Sequence, residues 1–132
     1  MNIILASKSP QRKKILENLN LNFSIKEPNI KEIITKKDSE NPKKYCSNLA
    51  FKKAVKISSL YPDSFVIGAD TIIYFNNQII GKPKNKKNAK KYLKSFSNKI
   101  HLVFTAVCII NKSKAINNSL IDKTIVTFNK IN

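Results

Sequence analysis

Residues 66–85 read VIGADTIIYFNNQIIGKPKN, and this stretch decides the fold. Residues 66–75 are rich in β-branched and aromatic side chains, Asn76 and Asn77 tolerate positive φ, and 78–81 turn apolar again. The pattern predicts a strand, a tight turn and a return strand that ends at Lys82 and Pro83. The same stretch holds both of the chain's glycines, Gly68 and Gly81, and one of its eight acidic residues, Asp70. An ionised carboxylate inside an apolar strand is costly unless it is paired, hydrogen-bonded or bound to metal. Two readings stand open: an Asp on an exposed bulge paired with one of many lysines, or a functional carboxylate beside a glycine that admits a ligand or a second backbone.

Working outward, 2–6 (NIILA) predicts a short buried strand, then SKSP breaks the chain before a helix over 11–19 with Ile15, Leu16 and Leu19 on one face. Ser9 is a good N-cap and Pro10 suits the first helical position. Residues 21–27 alternate as a half-exposed strand, and the polar run 35–42 reads as a loop. After Pro42, the positions of Cys46, Leu49, Ala50, Ala54 and Ile57 give an amphipathic helix that ends before Pro62. Beyond the hairpin, 86–97 predicts a helix, and 100–110 and 120–128 predict strands. The order is that of a mixed α/β domain with a substantial sheet. The chain stops directly after its last strand, with no closing helix.

At 132 residues the chain fits one domain with a real core, and 42% hydrophobic residues exclude a disordered tail. No apolar run approaches the roughly 20 residues of a spanning helix, and the N-terminus lacks a signal peptide, so a cytoplasmic protein without membrane partners is expected. Cys46 and Cys108 lack metal-ligand spacing and read as buried thiols in a reducing compartment. The net charge of +17 invites a nucleic-acid reading, but the lysines are spread through nearly every segment, which favours a solvated surface.

Backbone N–H groups at a helix start can receive an anion, and SKSPQRKK adds the Ser7 and Ser9 hydroxyls, the Arg12 fork and the charges of Lys8, Lys13 and Lys14. Lys53, near the apolar face of its helix, and Lys82, at a strand end, are each compatible with plain surface lysines. His101, the single histidine, reads as a buried or hydrogen-bonded strand residue rather than a base.

Taken in order, ILASKSPQR, LAFKKA (49–54), VIGADT, IIGKP and HLVFTAV span nearly the whole chain, and with them the sequence resembles the Maf family of nucleoside triphosphate pyrophosphatases. The resemblance implies an elongated mixed α/β sheet with flanking helices, related to inosine triphosphatases. It implies cleavage of a nucleoside triphosphate between its α- and β-phosphates with a divalent cation, Mg²⁺ or Mn²⁺, a homodimer, and roles in nucleotide-pool cleaning and cell-division arrest. Asp70 matches the family's proton acceptor and a metal ligand, and Glu32 a metal partner. Ser7, Ser9, Arg12, Lys53 and Lys82 match phosphate-site positions.

Four departures accompany the match. The residues after Pro10 and Asp70 are tied in the family to base choice, with Arg and Thr typical of members acting on dTTP and UTP; here they are Gln11 and Thr71. Lys31 replaces an acidic neighbour of Glu32, and Asn98 a glycine. The family continues into a segment with a Lys-Ala-Gly and Gln-containing motif that this sequence lacks. A fragment, or a truncated product with impaired folding or activity, is therefore expected. An inactive remnant and a basic nucleic-acid-binding module are the alternatives to the enzyme.

Overall fold

The hairpin at the centre of the sequence forms as its residues dictate: β3 (Phe65–Phe75) returns as β4 (Gln78–Ile80) through Asn76 and Asn77, whose φ angles are 51° and 59°. The computed structural model describes residues 2–81, residue 91 and residues 99–127. The helix expected over 86–97, Lys82 and Asn98 lie outside these residues. The other elements are β1 (Ile3–Ala6), α1 (Pro10–Asn18), β2 (Ser24–Ile25), a 3₁₀ turn at Asp38–Glu40, α2 (Pro42–Leu60), β5 (Ile100–Asn111) and β6 (Ile116–Thr127).

Among the described residues the sheet has six strands in the order β2-β1-β3-β5-β6, with β4 paired to β3. β1 runs parallel to β2 and β3; β3, β5 and β6 are successively antiparallel. The sheet is thus mixed, as expected. α2 covers one face. Its Cys46, Ala50, Ala54 and Ile57 pack with Ile4, Val66, Ile72, Phe104, Ala106, Cys108 and Ile110 into one buried cluster. The period of two on β3 and β5 matches the period of 3.6 on α2, as a helix on a sheet requires.

Gly68 sets the height of that helix. A Cβ there would stand 2.4 Å from the Ala50 carbonyl oxygen and 2.7 Å from the Ala54 amide nitrogen. The glycine therefore admits a second backbone, that of α2, and not a ligand. Gly81 is less constrained, with Ile34 Cδ1 3.5 Å from the site of a Cβ.

Three expectations need correction. α1 buries no residue, and Ile15 and Leu19 are 58% and 62% exposed. It is fixed by its N-terminus, where the Ser9 side chain accepts from the Arg12 amide, rather than by an apolar face. The strand expected over 21–27 contracts to Ser24–Ile25, because β1 offers a partner only four residues long. The final strand starts earlier than 120. β5 turns at Lys112 to Ala115, where Ala115 has φ 55°, and β6 pairs with it from Ile116 onward. Nearly every β6 residue is exposed, so polar side chains cost it nothing and its first half reads as loop.

Candidate active site

β1 follows β3 only as far as the Ala6–Gly68 register; β3 then runs on past the point where β1 leaves the sheet. A cleft of about 590 Å³ opens there, lined by residues of the loop into α1, of the 28–32 loop, of α2 and of β3. Ser7, Ser9, Gln11, Arg12, Glu32, Lys53, Asp70 and Thr71 all face it. Eight of the nine residues to which the resemblance gives a role are therefore brought together, and the ninth, Lys82, is outside the described residues.

The helix start forms one half. The Ser7 hydroxyl accepts from the Ser9 amide at 3.0 Å and from Arg12 Nη1 at 3.3 Å, while Arg12 Nη2 donates to Thr71 Oγ1 at 3.2 Å. Ser9 Oγ accepts from the Arg12 amide and donates to Gln11 Oε1 at 3.1 Å. The guanidinium is thereby aimed from α1 across the β1 end to β3. Oriented amides, hydroxyls and a planar fork form an anion-binding surface.

The charged half is built from α2. Ala50 and Ala54 lie against Gly68, so the intervening Lys53 reaches Asp70 two residues further along the same face of β3. Lys53 Nζ is 2.9 Å from Asp70 Oδ1 and 3.0 Å from Glu32 Oε1, and its side chain is only 13% exposed. Asp70 is buried, so the exposed-bulge reading fails. Neither is Lys53 a surface lysine.

Burial pushes the Asp70 carboxyl above the usual carboxylate range; the bond and charge of Lys53 offset this only in part, and Glu32 adds to it. Burial pulls Lys53 downward, but its bonds and attraction to Asp70 and Glu32 outweigh this, and its proton is held above the ordinary lysine range. Two carboxylates share one ammonium. Cys46, whose thiol burial and the Asp70 charge push up to about 11, donates from Sγ to the Asp70 carbonyl at 3.4 Å. It supports the strand. Cys46 and Cys108 are both free and buried, as the sequence suggested.

Among the described residues no group of three or more His, Cys, Asp or Glu could hold a metal ion. Glu32 and Asp70 are nevertheless hard oxygen donors, and Mg²⁺ is commonly held by one or two carboxylates together with substrate phosphates. Both line the cleft that holds the anion-binding residues, with Lys53 as their shared cationic partner. The pair fits a cation that shares its ligands with phosphates.

Sequence reading missed the parts that hold these groups in place. Thr105 Oγ1 lies 3.3 Å from Thr71 Oγ1, its direct partner across β3 and β5. Lys56 Nζ donates to the Asn29 carbonyl at 2.6 Å, tethering the 28–32 loop to α2. Ser39 clips the loop after Glu32 to the hairpin, accepting from the Ile79 amide at 3.1 Å and from Tyr74 Oη at 2.9 Å. Only Thr105 had a signal, the pairing of VIGADT with VFTAV. His101 is buried, with its pKa lowered by burial, and lies apart from the cleft.

Comparison with known proteins bears on this arrangement. Residues 2–132 match the family described as Maf-like protein. A dTTP/UTP pyrophosphatase of Clostridioides difficile (strain 630) is 46% identical over 84% of this chain and 56% of its own length. A 7-methyl-GTP pyrophosphatase of Colwellia psychrerythraea (strain 34H / ATCC BAA-681) is 37% identical over 98% of this chain and 64% of its own. The chain thus spans about half to two thirds of the curated relatives it matches. In fold it is similar to a nucleoside-triphosphatase / dITP/XTP pyrophosphatase from Mycobacterium abscessus, with a TM-score of 0.53, 9% identity, and coverage of 96% of this chain and 74% of that one. With a match that runs from just before β1 to beyond the last residue of β6, the chain belongs to the Maf-like protein family.

Proposed function

We propose that the cleft binds a nucleoside triphosphate and hydrolyses the bond between its α- and β-phosphates, releasing a nucleoside monophosphate and pyrophosphate. The observation that carries this reading is the convergence, in one cleft, of an anion-binding helix start and a buried carboxylate on a lysine. The names of the curated relatives support the same chemistry.

In this reading Ser7, Ser9, Arg12, Lys53 and Lys82 hold the phosphate chain, which brings several negative charges to a site rich in donors. Asp70 takes the proton of the attacking water. The water oxygen bonds to phosphorus, and the bridging P–O bond breaks with its electrons on the leaving pyrophosphate. The raised proton affinity of Asp70 makes it a stronger proton acceptor than an ordinary carboxylate. When bound, Mg²⁺ or Mn²⁺ on Glu32 and Asp70 supplies electrostatic stabilisation of the charge that develops on the phosphates. Gln11 and Thr71, beside the anion site, bear on base choice. Thr71 sides with dTTP and UTP, and Gln11 does not.

The reading places the enzyme in the cytoplasm, consistent with two free cysteines. No helix among the described residues is long and apolar enough to cross a membrane. A homodimer belongs to the reading as well, and light scattering of the purified chain tests it.

The activity is tested by pyrophosphate release from dTTP, UTP, CTP, GTP and 7-methyl-GTP with Mg²⁺ or Mn²⁺, with Asp70→Asn as the control. Turnover in the parent that is lost in Asp70→Asn supports the assignment. No turnover from a chain that melts cooperatively overturns it.

A further inference from the structure

Lys53 occupies the position between Glu32 and Asp70, within 3.0 Å of both carboxylates. A small divalent cation binds oxygens at about 2.0–2.1 Å, so two carboxylates held around a shared ammonium would have to close in to ligate it together. Both cations carry positive charge, and both want the same oxygens. Close packing fixes the backbone that carries the lysine: Ala50 and Ala54, on either side of it in α2, lie directly against Gly68, and the helix cannot withdraw without opening the core. Any movement of its ammonium therefore falls to the four-carbon stem of its side chain. The anion-binding residues of the α1 start line the same cleft, so a phosphate chain seated there gives the ammonium an alternative anionic partner.

We propose that the Lys53 ammonium holds the cation's place between Glu32 and Asp70 in the free protein and yields it when a nucleotide arrives, so that cation and nucleotide bind together rather than the cation first. This inference rests on the nucleotide reading above. Lys53 thereby acts twice, neutralising two carboxylates in the absence of substrate and transferring its charge to phosphate in its presence. The site also gains a means of discriminating against free metal, because a cation without phosphates must displace an ammonium already paired with both carboxylates.

The test is Mn²⁺ binding without nucleotide, followed by electron paramagnetic resonance of the unbound ion, in the parent, Lys53→Met and Lys53→Gln. A unit charge a few ångströms away changes cation affinity by about tenfold or more at protein dielectric, so both variants are expected to bind Mn²⁺ at least about tenfold more tightly than the parent. Adding Glu32→Gln to Lys53→Met is expected to abolish the gain. Folded variants that bind Mn²⁺ no better than the parent overturn the inference. If neither variant folds, the parent decides. Mn²⁺ should then broaden the amide signals of Glu32 and Asp70 only in the presence of a non-hydrolysable α,β-methylene analogue of dTTP, and broadening without the analogue overturns the inference. Turnover measured alongside separates the two claims. An active parent with no metal gain in the variants removes only the place-holding role, whereas a metal gain in a chain that cleaves no nucleotide removes only the activity.

Discussion

Arg12, in the first turn of α1, donates to the Thr71 hydroxyl on β3, a partner 59 positions along the chain, at 3.2 Å. In the proposed reading this bond joins the phosphate clamp to a residue tied to base choice. Arg12→Lys keeps the charge but loses the fork that spans Ser7 and Thr71. Hydrogen bonds to charged groups are worth about 1.5–3 kcal/mol, so KM for the nucleotide should rise roughly tenfold or more. Thr71→Val keeps the shape and removes only the aim; a rise of about threefold is expected. Steady-state kinetics on both variants checks the order, and an Arg12→Lys with unchanged KM contradicts it.

Asp70→Asn should abolish turnover without lowering stability. A carboxyl whose proton affinity is raised by folding has its ionised form disfavoured in the native state, and the amide removes that cost. Lys53 keeps Glu32 as a partner. The melting temperature of Asp70→Asn is therefore expected to equal or exceed that of the parent at pH 7. A clear fall would show that the Lys53–Asp70 pair stabilises the fold outright.

The pH dependence follows with its sign. Because the folded carboxyl of Asp70 holds its proton more tightly than the unfolded one, its contribution to stability is fully present below the ordinary carboxylate pKa and is lost as pH rises through the raised value. In the proposed reading turnover should have the opposite slope there, since Asp70 as base must be ionised. Lys53 contributes stability that is present below the ordinary lysine pKa and lost as pH rises through its own raised value. Urea midpoints across pH, in parent and Asp70→Asn, should differ in slope on the acid side. Parallel profiles would remove Asp70 as the source.

Gly68→Ala should be among the most damaging methyl additions in the described chain. The new carbon meets helix backbone at 2.4 and 2.7 Å, which cannot rotate aside, so α2 must rise from the sheet. Overpacking of this kind costs about 1–3 kcal/mol or more. Gly81→Ala meets one side-chain carbon at ordinary contact distance and should change stability little. Equal denaturation midpoints for the two would mean that α2 can shift freely.

Tyr74→Phe removes the donor to the Ser39 carbonyl and loosens the loop that follows Glu32. A loss of about 1 kcal/mol is expected. Hydrogen exchange should quicken between residues 33 and 41 before it quickens in α2.

How much of this was legible depended on where each signal lay. α2 and β3 announced themselves through apolar periods that the core then used, and Asp70 stood out because a lone carboxylate in such a strand needs a partner. The partner itself was not legible. Lys53 is one of 25 Lys and Arg; the resemblance matches it to a phosphate-site position, but its pairing with Asp70 follows only from the closeness of α2 to Gly68. The α1 face misled, because Ile15 and Leu19 have helical spacing yet cover nothing among the described residues. β6 was shortened because an exposed strand carries no alternation to read. Thr105, Ser39 and Lys56 act through bonds between distant segments, which neither spacing nor composition records.

The short β1 has a consequence for how the cleft comes into being. It joins β3 in parallel, and so only after the intervening helices and loops have been drawn into one closed loop. No stretch of neighbouring residues contains both Arg12 and Thr71, or both Glu32 and Asp70. Closing so large a loop is slow and comes before the contacts that reward it. A refolding chain should therefore gain affinity for anions in its last cooperative step, and pyrophosphate binding would report completed strand order rather than mere collapse.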